Sequence, residues 1–116
     1  MALINLVKMN TSTVGTGTIT LTTAVSGFLT MAQAGAVDQT VYSYGISDGT
    51  NSEVGVGLYT VSGLTLTRTV TNSTNSNAAI SLSGSAVVYI TALAADISTK
   101  TSLGLSTAIR MGMIFA

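Results

Sequence analysis

Residues 42–70, YSYGISDGTNSEVGVGLYTVSGLTLTRTV, carry the clearest strand and turn pattern of the sequence. Tyr42, Tyr44 and Ile46 alternate with small residues, which is typical of a strand with one apolar face. Asp48-Gly49 follows, and these residue types favour a tight hairpin turn because they tolerate positive φ. The stretch therefore predicts strand, turn, strand, turn and strand, folded as an antiparallel meander with one apolar side.

The second and third strands of this meander are predicted from the same alternation. The second strand would bury its larger aliphatic side chains, which are Val54, Val56 and Leu58. A turn at Ser62-Gly63 precedes the third strand, whose apolar side would carry Leu64, Leu66 and Val70. Arg68 has the same parity as these residues, so a charge would face the core unless the strand bends or ends there.

The charged residues of the stretch suggest an ion pair. Glu53 or Asp48 is the nearest candidate partner for Arg68, and we predict a pair of Arg68 with Glu53, between hairpins or between subunits. The alternative is an arginine that extends to solvent at a strand end. Taken alone, Asp48 is typical of a turn residue, and Glu53 is expected on the solvent side of its strand.

Further short strands are expected on both sides of the meander. Ile19 and Leu21 would point inward from the first of them. The predicted elements are a strand at residues 18–22, another at 28–31, a loop at 71–77, and a strand pair at 79–83 and 86–91 around Gly84-Ser85.

Evenly spaced short strands predict an all-β fold rather than alternating βαβ units. We expect a small antiparallel β-sandwich or barrel of about seven to eight short strands, with extended N- and C-terminal arms. The corresponding division of the chain is an N-terminal arm or first strand at residues 1–9, a β domain at 10–96, and a C-terminal linker and apolar arm at 97–116.

Both ends of the sequence are apolar, although terminal segments are normally polar and frayed. Residues 2–9 are predicted to be a strand with apolar groups on both faces, which inserts into its own sheet or docks on a neighbouring subunit. An exposed apolar segment at the other end also needs a receiver. The candidate interface residues are Leu3, Ile4, Leu6 and Val7 in the leading arm and Met111, Met113, Ile114 and Phe115 in the trailing arm.

The composition is poor in charge. Charged residues make up 7% of the 116 residues and the formal net charge is zero, against about 25% charged residues in a typical domain. Charge depletion is a property of interface cores, and a net charge near zero favours association. The four basic residues are scattered, so no nucleic-acid surface is expected. Composition alone therefore indicates an assembly subunit.

No segment of the sequence is expected to enter a membrane. The long uncharged run of residues 9–37 is interrupted by Thr, Ser and Gly and holds no block of about 20 apolar residues. The apolar N-terminus lacks the basic leading region of a signal peptide.

The residue types that catalysis usually needs are scarce. The sequence has no His and no Cys, so Ser-His-Asp and Cys-His arrangements cannot form and zinc would lack its usual ligands. Asp48 and Glu53 flank one turn, but turn chemistry explains them better than a glycosidase-like pair. A calcium loop would need more acidic ligands than Asp48, Asn51 and Glu53. We expect no enzyme, no cofactor and no metal site.

A set of short motifs stands in a distinctive order and spacing. They are GTGT at residues 15–18, VSGF at 25–28, YGISDG at 44–49, EVGVGLY at 53–59, LTR at 66–68, NSN at 75–77 and ITALA at 90–94. In this order they resemble a β domain of virion proteins of tailed bacteriophages, often found at the start of tail-fibre-like chains. The resemblance covers residues 7–96. Two departures are that tail-fibre relatives usually continue into a long fibre, whereas this sequence stops at Ala116, and that Ser52 stands where many relatives have a large aromatic residue.

The resemblance implies a non-enzymatic virion structural protein. The first hypothesis is a tail-associated adaptor or fibre-base subunit, made in the bacterial host cytoplasm and assembled as a homotrimer or higher oligomer with other virion proteins of tail or capsid. The second is a capsid decoration (cement) or head-fibre base protein, because two apolar arms suit clamping between subunits. The third is a glycan-binding module that stacks sugar on Tyr42, Tyr44 or Tyr59, although these tyrosines are better explained as strand and core residues.

Overall fold

The computed structural model describes residues 1–97, and the predictions for residues 98–116 lie outside the described part. Short strands and turns make up most of it, with one helical turn at residues 94–97. The strands are β1 (Lys8–Thr11), β2 (Val14–Gly15), β3 (Ile19–Ala24), β4 (Thr40–Asp48), β5 (Asn51–Thr60), β6 (Thr65–Leu66), β7 (Thr69–Ser73), β8 (Leu82–Ser83) and β9 (Val87–Ile90).

Six antiparallel strands close into a barrel. Their order is β4-β9-β1-β3-β6-β5, and the pairing of β5 with β4 closes the ring. Strand β7 pairs with β5 beyond the end of β6, and β2 pairs with β8 as a separate two-stranded sheet. The predicted all-β class is confirmed, and of the two expected architectures the barrel is the one observed.

The hairpin of β4 and β5 forms as the sequence pattern predicts. The two strands pair along their whole length, and Gly49 in the turn takes a φ of +65°. Alternate residues of β4 face the barrel interior, so that Tyr42, Tyr44 and Ile46 are buried. The same alternation buries the two predicted residues of β3, Ile19 and Leu21.

The interior face of β5 is the opposite of the predicted one. Val54, Val56 and Leu58 lie half-buried on the outer face of the barrel. The buried residues are those between them: Glu53, Gly55, Gly57 and Tyr59. The hydrophobic pattern misled because two glycines and a charged residue occupy the interior face, whereas the β-branched valines satisfy strand propensity on either face.

The chain from β6 to β7 does not run as the single alternating strand that was predicted. Leu66 is buried, but Leu64 lies exposed in the preceding turn with a φ of +52°, and Val70 is half-buried. Residues 67 and 68 interrupt the strand. The side chain of Arg68 nevertheless stays on the buried side of the chain, as that of Leu66 does, and is 2% exposed.

Predictions for the flanking segments are partly wrong. Strand β1 begins only at Lys8, inside the segment assigned to the arm, and the preceding residues touch the barrel through bridges of Ala2 with Tyr42 and of Val7 with Leu29. Residues 28–31 form a bend and the start of a turn around that second bridge rather than a strand. A bend after Gly27 therefore replaces the extended conformation that the apolar run predicted.

The C-terminal part of the described chain also departs from prediction. Residues 71–73 belong to β7, so the predicted loop is shorter. Strands β8 and β9 do not pair with each other, because β8 pairs with β2 whereas β9 lies between β1 and β4. Pairing with distant strands replaces the local hairpin, and only the pairing of β9 with β1 and β4 contributes to closing the barrel.

Candidate functional site

A buried ion pair links β5 to the segment between β6 and β7. Arg68 Nη2 lies 2.6 Å from Glu53 Oε1, and Arg68 Nε lies 3.0 Å from Glu53 Oε2. The two side chains are 2% and 0% exposed. This two-point geometry is that of a bidentate, charge-assisted pair. The structure thus brings together the two residues named from the sequence, within one chain, and the expectation that Glu53 faces solvent is wrong.

The hydrogen-bonding capacity of the pair is filled. Arg68 also donates to three backbone carbonyl oxygens, those of Gly15 at 3.2 Å, Gly17 at 3.3 Å and Ile80 at 2.8 Å. Glu53 also accepts from the Tyr44 hydroxyl at 2.7 Å and from the Ile80 N–H at 2.9 Å. A guanidinium has about five N–H donors and a carboxylate about four acceptor sites, so the pair holds two loops against β4 and β5.

The protonation states of this cluster are fixed by its contacts. Burial raises the pKa of Glu53, but hydrogen bonds from Arg68, Tyr44 and the Ile80 N–H outweigh burial and hold that pKa below its ordinary value. Burial and the hydrogen bond to Glu53 raise the pKa of Tyr44. The glutamate is therefore ionised and the tyrosine neutral near pH 7. A carboxylate with every acceptor site occupied has no position for a substrate proton, so the cluster is structural.

Two glycines of β5 allow the segment of Arg68 to come close. A Cβ on Gly55 would lie 2.2 Å from the carbonyl oxygen of Thr69, and a Cβ on Gly57 would lie 2.1 Å from that of Thr67. Both distances are far shorter than real Cβ contacts. Glycine at these positions is therefore a condition for the ion pair, because any side chain would push the segment away.

The leading arm has two kinds of surroundings. Val7 is 5% exposed and belongs to the core, and Ile4 packs against the core. Leu3 and Leu6 are 40% and 64% exposed. Only these last two of the four candidate residues are therefore well placed to contact another molecule. The candidate residues of the trailing arm, Met111, Met113, Ile114 and Phe115, lie outside the described residues.

Leu6 is held in an unusual backbone conformation. Its φ is +63°, a region that non-glycine residues seldom adopt. The Leu29 N–H donates to the Leu6 carbonyl at 2.8 Å, which holds the bend. Together with Phe28 and Tyr89, Leu6 lines a depression of about 400 Å³. The bend therefore presents an apolar side chain to solvent beside an exposed aromatic ring.

A larger depression of about 660 Å³ lies on the outer face of the barrel and is lined by residues of β5, β7 and β9 and of the segment 91–96. Val54, Gly45 and Tyr89 are in register on β5, β4 and β9. The Tyr89 ring lies directly over Gly45, where a Cβ would come within 2.3 Å of a ring atom. Tyr89 and Thr91 line both depressions, so the two adjoin. We call the larger apolar side chains of their joint lining the apolar belt, defined by Leu6, Phe28, Val54, Val56, Tyr89 and the largely buried Leu93.

Asp96 closes one side of the larger depression. Its Oδ2 accepts from the Ser43 hydroxyl at 2.7 Å and from the Leu93 N–H at 3.0 Å, and its Oδ1 contacts the N-terminal ammonium of Met1. The hydrogen bond from that ammonium, with those from Leu93 and Ser43, lowers the pKa of Asp96 to about 2. The helical turn is thereby joined to β4 and to the leading arm.

The other residues that the sequence analysis weighed for catalysis, metal binding or sugar stacking make contacts within the fold. Asp48 accepts from the N–H and the hydroxyl of Ser83 at 2.7 and 2.8 Å, so it holds β8 rather than meeting Glu53. Within residues 1–97, no three side chains of metal-binding type form a group. The helical turn found in this range is too short to cross a membrane. The tyrosines named for sugar stacking are all buried and offer no exposed ring face: Tyr42, Tyr44 and Tyr59.

Comparisons of the chain with protein-family models, with curated proteins and with solved structures found no match. What the protein does is therefore inferred from its own residues.

Sequence reasoning missed several residues that shape these sites. Tyr44 was detectable as a partner of Glu53, because a two-residue turn places it diagonally across the hairpin on the same face. The role of Asp96 was not detectable from the sequence, since its partners Ser43 and Met1 are 53 and 95 positions away. The close contact of Gly45 with Tyr89 depends in the same way on the pairing of β4 with β9.

Proposed function

We propose that this protein is a non-enzymatic structural subunit of a tailed-bacteriophage particle. It acts as a tail-associated adaptor or fibre base and assembles, as a homotrimer or higher oligomer, with neighbouring virion proteins. One observation carries the proposal: within residues 1–97 the charged side chains are engaged inside their own chain, whereas apolar side chains lie exposed.

The charged residues in question are the six that fall within the described range. The Lys8 ammonium lies 5.1 Å from the centre of the Phe28 ring, and Asp38 accepts from the Val61 N–H at 2.8 Å. Of the remaining four, Asp48 accepts a hydrogen bond from Ser83, and Glu53 and Arg68 form an ion pair with each other. Asp96 accepts from Ser43 and pairs with the Met1 ammonium. The ion-paired charges among them, Glu53 with Arg68 and Asp96 with the Met1 ammonium, contribute little to repulsion between copies.

The exposed apolar side chains support the same proposal. Leu6 and Phe28 are 64% and 40% exposed, and they belong to the apolar belt. Contiguous apolar surface of this kind marks a contact site more often than an isolated exposed residue does. The motif resemblance of residues 7–96 adds the class of particle in which such contacts would form.

A capsid decoration or head-fibre base protein is the alternative within this class, because the same surface would suit it. The glycan-binding alternative loses its motivation, since the tyrosines proposed for stacking lie in the barrel interior.

The number of copies per particle tests the proposal. Peptides of this protein would be counted against those of the major capsid protein in purified particles, after separation of heads from tails. A few copies travelling with tails are expected. Hundreds of copies travelling with heads would favour the decoration protein instead, and absence from purified particles would contradict the whole class.

A further inference from the structure

We infer that the apolar belt receives residues 111–115 of a second copy of this chain. The inference deepens the proposed function and rests on it, because it names the surface through which copies would assemble. Four observations lead to it: the position of the belt, the reach of the chain, the chemistry of the segment, and the extent of the belt.

The belt lies beside the point at which the described chain stops. Leu93 and Asp96 line the larger depression, and Ile97 is the last described residue. Thirteen residues, 98–110, then precede Met111. At about 3.3 Å per residue they can span up to about 43 Å, so residues 111–115 need not stay beside the depression of their own copy.

The segment and the depression have matching chemistry. Residues 111–115 read MGMIF and carry no charge. Val54, Val56, Tyr89 and Leu93 supply the larger apolar side chains of the depression, beside the uncharged polar side chains of Thr71, Asn72 and Thr91. Methionine is unbranched and flexible, so it fills irregular apolar surfaces. Asp96 is the acidic residue of this lining, and its carboxylate is already bound by Ser43, Leu93 and Met1.

Residues 111–115 of a second copy would leave less of the belt exposed than residues 111–115 of the same chain folded back onto its own depression. Five residues can cover the larger depression, but Leu6 and Phe28 lie on the other side of Tyr89, in the smaller one. A neighbouring copy that delivers its segment also brings its own barrel close, and that body can cover Leu6 and Phe28. The chain's own segment, folded back, would leave them exposed.

Two complementary variants test the exchange between copies. Val56→Arg places a charge in the larger depression and keeps the trailing segment, whereas a chain ending at Arg110 keeps the depression and loses the segment. Val37→Arg is the matched control, because Val37 is 62% exposed and lies outside the belt. Oligomeric state is measured by analytical ultracentrifugation, and folding by circular dichroism.

The full chain and Val37→Arg are expected to form the same oligomer, and each test variant alone is expected to be a folded monomer. An equimolar mixture of the two test variants should restore association as a one-to-one pair, since one copy supplies the segment and the other the depression. Retention of the full oligomer by either variant alone, or absence of pairing in the mixture, would overturn the inference.

A cysteine pair provides an independent measurement in case Val56→Arg does not fold. The sequence contains no Cys, so Val54→Cys with Ile114→Cys introduces the only two thiols. Under mild oxidation a disulfide between two chains is expected, and a disulfide within one chain, or none, would contradict the inference. A cross-linked oligomer absent from particles would contradict the proposed function alone, whereas a particle protein without the cross-link would contradict only this inference.

Discussion

The interior near Glu53 contains a charged pair, whereas the apolar belt on the outside of the barrel contains aliphatic and aromatic side chains. This is the reverse of the usual arrangement, in which charges face solvent and apolar side chains are buried. Along β5 the two are neighbours: Glu53 points inward to Arg68, and Val54 points outward into the larger depression. Inside, Arg68 holds the backbone carbonyl oxygens of Gly15, Gly17 and Ile80, and the apolar groups outside remain available for contact. Burial in this barrel therefore follows hydrogen-bond demand as well as hydrophobicity.

Removing one member of the ion pair should have the largest effect. Arg68→Met leaves the Glu53 carboxylate buried without its cation, and we expect a loss of about 3–5 kcal/mol in the free energy of unfolding. Urea unfolding followed by circular dichroism measures it. The double variant Glu53→Gln with Arg68→Met should lose less than the sum of the two single changes. A loss below about 1 kcal/mol in Arg68→Met would mean that the pair does not hold the fold.

Filling the space that the ion pair needs should have the next largest effect. Gly55→Ala places a Cβ against the backbone carbonyl of Thr69, which cannot move like a side-chain end, and the expected loss is about 1–3 kcal/mol. Gly17→Ala is the control, since nothing lies within 4 Å of its Cβ position. Equal effects of the two substitutions in urea unfolding would refute the close approach.

Acid should destabilise the fold through Glu53 in the interior and, at lower pH, through Asp96 beside the larger depression. The folded-state pKa of Glu53 lies below its unfolded value. As pH falls, the unfolded chain therefore takes up a proton at this residue before the folded chain does. The stabilisation is therefore complete above the unfolded pKa of about 4.3 and is lost as pH falls through the folded value. Asp96, with a pKa of about 2, acts in the same direction. Thermal unfolding between pH 7 and pH 2 should show a flatter profile for Arg68→Met, and an unchanged profile would contradict this account.

A change in the belt should have the smallest effect on the fold. Leu6→Asn removes the apolar side chain and introduces a residue type that tolerates the positive φ of this position. Leu6 is 64% exposed, so little core packing is lost. We expect the free energy of unfolding to change by less than about 0.5 kcal/mol, while association weakens in ultracentrifugation. Val37→Asn, outside the belt, should change neither quantity. Weakened folding without weakened association would assign Leu6 to the core instead.

Prediction from sequence succeeded where the interaction is local. The β4–β5 hairpin follows from alternation and from the residues of one turn, and the inward direction of Ile19 and Leu21 follows from alternation alone. The candidate pair of Arg68 and Glu53 was named because an unpaired charge at a core-facing position demands a partner. Pairing of β8 with β2 was not predictable in this way, since the pattern of each strand fits several partners.

Residue types and local spacing were enough to establish the β class, the central hairpin, the scarcity of charge and the need of Arg68 for a partner. Each of these depends on residue types or on neighbours within one turn. The folded barrel added the long-range contacts, which place the Arg68 guanidinium on Glu53 and the Tyr89 ring over Gly45. The physical reason is that alternation within a strand specifies neither its distant partners nor its register with them. Those partners depend on which distant segments reach β4 and β5, here the segment of Arg68 and strand β9.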